Sequence, residues 1–258
     1  MARRNRVRQL RGSSGILLAP VDVDGVVTRP GDTFSYSNRN DQPSGRWVSL
    51  AARVLPGVGR VQTQVAPYAA AWRRANVTAL AQEGPLWVVL GDSLSQGIGA
   101  PAFDLGWVGQ LHARLALAGR DYRIVNLSVS GAHTADVLRR QLPALTALPD
   151  PPELVTVMVG SNDLIRRSRR RDLPERFRAL LEAVPFGTAV STLPNPTPTA
   201  TATNTVITTV ARERGLVVAE MRDGRTTSWR GKLAADHFHP NESGYAALAE
   251  VFAMALLH

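Results

Sequence analysis

The sequence predicts an α/β protein built as a three-layer α/β/α sandwich around a central five-stranded parallel sheet. Three observations carry this reading: five short apolar runs rich in branched side chains, helical patterns alternating with them, and 44% hydrophobic content over 258 residues, enough to bury a sizeable core. Continuous apolar runs suit strands covered on both faces, and strands alternating with helices give parallel βαβ units.

The elements follow in chain order. Residues 1–43 are rich in Arg, Gly, Ser, Asp and Asn and hold short β-like runs such as 21–28 and 33–36, so they are expected as a basic arm or hairpin with a disordered start. Residues 44–258 are expected as the main domain. Apolar residues recur at helical spacing over 47–55 and 65–80, separated by the breaker Pro56-Gly57-Val58-Gly59. The first strand is Leu86-Trp87-Val88-Val89-Leu90, and similar runs recur at 122–127, 154–159, 189–193 and 216–219. Helical periodicity fills 103–118, 134–145, 173–184, 204–214 and 243–256, and the tract 194–203 is the one long interruption.

Composition narrows the chemistry. The chain has no cysteine, which excludes disulfides, thiolate nucleophiles and Cys-ligated zinc. Its formal charge of +9 comes almost wholly from arginine, since Lys232 is the only lysine. Biased coding accounts for such a preference as readily as attraction to an anionic partner does. Nucleic-acid binding is not expected, because no recognised module accompanies the charge and aromatics are only 6%. No segment approaches the roughly 20 apolar residues of a membrane span. After Met1-Ala2-Arg3-Arg4 the only apolar stretch is 15–21, too short for an export signal, so a soluble cytoplasmic protein is expected. No His/Asp/Glu spacing suggests a metal, and no cofactor is expected.

In open parallel sheets ligands bind outside the carboxyl ends of the strands, so the residues after each run are the informative ones. Gly91-Asp92-Ser93-Leu94-Ser95-Gln96-Gly97 follows the first strand. A serine at such a turn exposes its hydroxyl near backbone amides, although a helix N-cap serine looks the same. Asn126-Leu127-Ser128-Val129-Ser130-Gly131 follows the second, where a glycine lets its amide approach an oxyanion or simply makes the turn. Gly160-Ser161-Asn162-Asp163 follows the third, and the Asn162 amide is a neutral donor or an Asx-turn former. Asp236-His237-Phe238-His239-Pro240 lies beyond the last strand. A carboxylate three residues before a histidine reaches one ring nitrogen and leaves the other free, and Pro240 holds the corner.

Together these blocks resemble the SGNH hydrolases, the GDSL esterase and lipase family, through GDSLSQG, Gly131, GSND and DHFHP. The resemblance covers residues from about 86 to 258 and implies a flavodoxin-like sheet. It implies catalytic Ser93, Asp236 and His239, and an oxyanion hole made by the amides of Ser93 and Gly131 with the side chain of Asn162. A small-molecule carboxylic ester is then the expected substrate, of small to medium acyl length, with acetylated sugars and lysophospholipids among the candidates. The nucleophile elbow G-x-S-x-G does not fit, because Ser95 stands at its fifth position. A P-loop is excluded at this site, because it needs Gly-Lys-Ser/Thr and the only lysine, Lys232, is elsewhere.

Leu94, Ile98, Leu164, Pro194 and Phe238 are candidates for apolar pocket lining. The arginines at 166, 167, 169, 170 and 171 are expected near the site's mouth, either as a solvated face or drawing anionic substrate or a peripheral anionic membrane. Two other readings use the same sequence: acyl transfer to an alcohol through the same triad, and a non-catalytic scaffold whose basic arm engages a partner.

Overall fold

The computed structural model describes residues 34–40 and 56–257. Helices α1 (Pro56–Gln62) and α2 (Val65–Leu80) precede strand β1 (Leu86–Gly91). A 3-10 turn at Phe103–Leu105 leads into α3 (Trp107–Leu117) and β2 (Arg123–Asn126). The next helix, α4, has three parts: Thr134–Asp136, a π segment Val137–Gln141, and Leu142–Thr146. Then come β3 (Leu154–Met158), α5 (Ser161–Ile165), α6 (Arg167–Arg170), α7 (Leu173–Ala183), β4 (Ala189–Ser191), α8 (Pro198–Arg214), β5 (Val217–Ala219), α9 (Gly224–Thr227) and α10 (Glu242–Leu257).

All neighbouring strands pair parallel in the order β2-β1-β3-β4-β5. The chain reverses its direction of winding between β1 and β3, and that switch opens a crevice at the carboxyl end of the sheet. Strand β1 is buried throughout because both its faces are covered. Leu86, Val88 and Leu90 pack with side chains from α4, α7 and α8, whereas Trp87 and Val89 pack with α3 and α10. On that second face the Trp107 and Phe252 rings stack with centroids 4.5 Å apart. In this core the Trp87 indole donates to Thr156 Oγ1 at 2.9 Å.

The five parallel strands and the sandwich agree with the sequence reading, while several local expectations need correction. Pro56-Gly57-Val58-Gly59 is no breaker but the start of α1. Proline is tolerated where a first-turn N–H has no intrahelical acceptor, and glycine only lowers helix propensity. The tract 194–203 is mostly helix, because Pro198 opens α8 and the Thr197 hydroxyl caps it by accepting from the Ala200 amide at 3.2 Å. Threonine hydroxyls at 201, 203, 205 and 208 donate to carbonyls one turn back, so a composition poor in helix formers is accommodated. The helix expected over 103–118 is broken at Gly106, and that over 134–145 contains the π segment.

The β-like run at 21–28, the helix at 47–55 and the start of the basic arm lie outside the described residues. Residues 34–36 of the run at 33–36 form no strand among the described residues. Instead, Tyr36 and Asn38 are buried against the main domain.

Candidate active site

Ser93, Asn162 and the Asp236–His239 turn come from three separate segments at the carboxyl end of the sheet. Ser93 follows β1 in a turn whose hydrogen bonds run from Ser95 N and Gln96 N to Asp92 O and from Ile98 N to Ser93 O. The end of β1 is held from the side. Gln141, inside the π segment of α4, accepts from Gly91 N and donates to Gly91 O, both at 2.8 Å. A π segment redirects a helix face, and here it turns a buried amide onto the strand end that carries the serine.

The last loop is tightly wound. His237 adopts φ 55, in the left-handed region, and this lets the chain fold back on Asp236. Asp236 Oδ1 accepts from the amides of Phe238 and His239 at 3.1 and 3.0 Å, and its Oδ2 lies 2.6 Å from His239 Nδ1. His239 Nε2 lies 3.1 Å from Ser93 Oγ. Burial alone would raise the Asp236 pKa, but the hydrogen bond to His239 and the two amides hold it below the usual carboxylate range. Asp236 is therefore ionised where it meets the imidazole. His237, the neighbour that could be mistaken for the base, turns toward the cavity instead.

Asn162, in the first turn of α5, donates its side-chain amide to Ala132 O at 3.0 Å and lies 3.4 Å from Asp92 Oδ2. These contacts bring it to the loop carrying Gly131 and to the turn carrying Ser93. Gly131 has φ +79, a conformation that strains any side chain. Among the described residues neither the Ser93 nor the Gly131 amide donates to a protein acceptor. These two amides are thus available to an incoming oxygen, whereas the Asn162 side chain already donates to Ala132 O.

Two buried carboxylates flank these groups, and the sequence reading assigned neither a role. Asp92 is fully buried and its pKa is pushed up to about 7, chiefly by burial, against the Leu94 amide that it accepts. Asp163 Oδ2 accepts from the amide and hydroxyl of Thr134, and Arg176 lies 3.7 Å from its Oδ1. Asp92 stands inside GDSL, so its position was visible, but only burial reveals its altered acidity.

A cavity of about 420 Å³ opens beside Ser93 and Asn162. Leu94, Leu164, Pro194 and Phe238 line it as expected, together with Ile165, Trp229 and Leu248. Ile98 does not. It is 1% exposed and lies under the turn, where its carbonyl accepts from Tyr245 Oη at 2.6 Å. Of the arginine cluster Arg170 reaches the cavity wall, and none of the five forms an ion pair among the described residues. Also among the described residues, no group of His, Asp and Glu side chains is placed to hold a metal ion, and no helix is long and apolar enough to cross a membrane.

Residues 89–247 match the GDSL-like lipase/acylhydrolase family. The chain belongs to this family. Within the family it is 40% identical over 95 residues to Esterase TesA of Pseudomonas aeruginosa, a stretch that spans 37% of this chain and 46% of the esterase. A crystal structure of TesA superposes with a TM-score of 0.54 at 30% identity, covering 66% of this chain and 97% of that one. A single-substitution variant of Axe2, an acetyl xylan esterase from Geobacillus stearothermophilus, shares the fold with a TM-score of 0.53 at 21% identity, covering 67% and 95%. The matched GDSL-like region begins inside β1 and ends inside α10, so helices α1 and α2 and residues 34–40 lie before it.

Proposed function

We propose that this chain hydrolyses carboxylic esters of small to medium acyl length through an acyl-serine intermediate. The observation that carries the reading is the unbroken chain of contacts from Asp236 Oδ2 to His239 Nδ1 at 2.6 Å and from His239 Nε2 to Ser93 Oγ at 3.1 Å. Ser93 Oγ attacks the acyl carbon while His239 takes its proton, and the oxyanion faces the amides of Ser93 and Gly131 and the Asn162 side chain. Collapse expels the alcohol, which receives the proton from His239. Water then attacks the acyl-serine with the same histidine as base, releasing the acid and restoring Ser93. Asp236 keeps the imidazole in the productive tautomer and stabilises its protonated form.

The dimensions of the cavity and its apolar wall of Leu94, Leu164, Pro194 and Phe238 support a modest acyl group. Likeness to an esterase over 95 residues supports ester cleavage. The test is covalent labelling with a fluorophosphonate, which is expected to modify the folded wild type and to leave Ser93→Ala untouched. Labelling that persists in Ser93→Ala, or none in the wild type, removes the reading. A panel of esters from acetyl to long-chain, with acetylated sugars and lysophospholipids, then defines the substrate.

A further inference from the structure

The loop from Ser128 to Gly131 leaves the sheet after β2, and Val129 N to Gly91 O at 3.2 Å is its last backbone tie to β1. An amide that is to stabilise an oxyanion must be held within about half an ångström of its place. Most of what holds this loop comes from side chains, and much of it from a segment far away in sequence. Asn38 is 1% exposed, and its Nδ2 donates to Asn126 O at 2.7 Å and to Ser128 O at 3.0 Å. The Asn38 carbonyl accepts from Gln96 Nε2 at 2.8 Å, and the same Nε2 donates to Ser128 O at 2.9 Å. Gln96 Oε1 accepts from Ser130 Oγ at 2.6 Å. Two residues before Asn38, the Tyr36 hydroxyl donates to Leu127 O at 2.7 Å. Gln96 belongs to the serine turn, so one buried network joins that turn, the Gly131 loop and residues 34–40.

We propose that residues 34–40 are a strap that sets the position of the Gly131 amide relative to Ser93, with Asn38 as its positioning residue. The inference rests on the esterase reading above. Redundancy in the network separates positioning from folding. Asn126 O also accepts from Asn76 Nδ2 at 2.8 Å, and Ser128 O keeps Gln96, so losing the Asn38 side chain leaves neither carbonyl bare. What is lost is the direct tie from the strap to both ends of the 126–128 segment. Tyr36 and Asn38 both precede the family-matched residues 89–247, so this chain completes its site with a piece from outside that region.

The experiment compares wild type with Asn38→Ala in the full chain. It measures kcat and KM on a neutral ester and inhibition by an alkyl boronic acid, whose serine adduct carries an oxygen where the oxyanion forms. Misplacing a catalytic group by an ångström costs about a hundredfold. The expected result is kcat lower by about ten- to a hundredfold and boronate affinity lower by a similar factor, with KM within about twofold. A loss confined to folded fraction, or equal losses for boronate and for a planar product-like carboxylate, overturns the strap. Should Asn38→Ala not fold, Tyr36→Phe removes one hydroxyl with little change in volume and takes the same measurements. For it, kcat and boronate affinity are expected to fall together, and wild-type values of both overturn the proposal. An active wild type matched in kcat by Asn38→Ala overturns the strap alone, whereas a wild type inert to esters and boronate overturns the esterase reading and the strap with it.

Discussion

Asp236, bonded to His239, and Asp92, next to Ser93 in the chain, have surroundings that push their acidities in opposite directions. Asp236→Asn keeps the shape but cannot favour the same imidazole tautomer, so kcat should fall about a thousandfold or more with little change in KM, read by steady-state kinetics. For Asp92 the sign runs the other way. Its folded pKa of about 7 lies above the ordinary value of 3.8, so its stabilising contribution is full below 3.8 and is lost as pH rises through about 7. This group should therefore pull the thermal midpoint of the wild type down across that window, and Asp92→Asn should flatten the decline. An identical slope in the two proteins refutes the buried, proton-holding Asp92. For Asp136 burial works upward, but the hydrogen bonds and charge of His133 outweigh it and lower the pKa to about 2, so its contribution is lost at the opposite end, as pH falls toward that value.

At the level of elements, the loop after β1 and the loop before α10 are built against each other. Gly99 has φ +102, and a Cβ there would lie 2.4 Å from Pro240 O and 2.9 Å from His239 Cβ. Gly99→Ala should push the histidine corner away from Ser93, lowering kcat at least about tenfold and the thermal midpoint with it, measured by kinetics and calorimetry on one sample. Element types were legible from periodicity: the span 65–80 expected for the second helix coincides with Val65–Leu80. Boundaries failed where local chemistry overrode propensity, as at the Thr197 cap of α8 and the π segment of α4. Neither leaves a periodic trace, since one depends on a single hydroxyl and the other on one extra residue in a turn.

Across the whole molecule, the two faces of the sheet carry separate cores, and α10 links one of them to the site because Pro240 lies just before its start. Phe252→Ala removes a fully buried ring stacked on Trp107. It should cost about 3–5 kcal/mol of stability. The thermal midpoint should drop by roughly 6–20 °C, followed by circular dichroism, with kcat retained at low temperature.

The order of residues along the chain was enough to show that apolar runs and helical patterns alternate, and which residues stand at the ends of the strands. Burial imprints periodicity on a chain, and the short blocks around Ser93, Asn162 and His239 hold their chemistry within a few residues. Folding in three dimensions settled which of them meet. It placed Ile98 beneath the turn and not in the cavity, aimed Gln141 at the end of β1, and laid Asn38 across the Gly131 loop. The physical reason is that a buried polar side chain is defined by the partner that satisfies it. For Asn38 and Ser128 that partner lies 90 residues away.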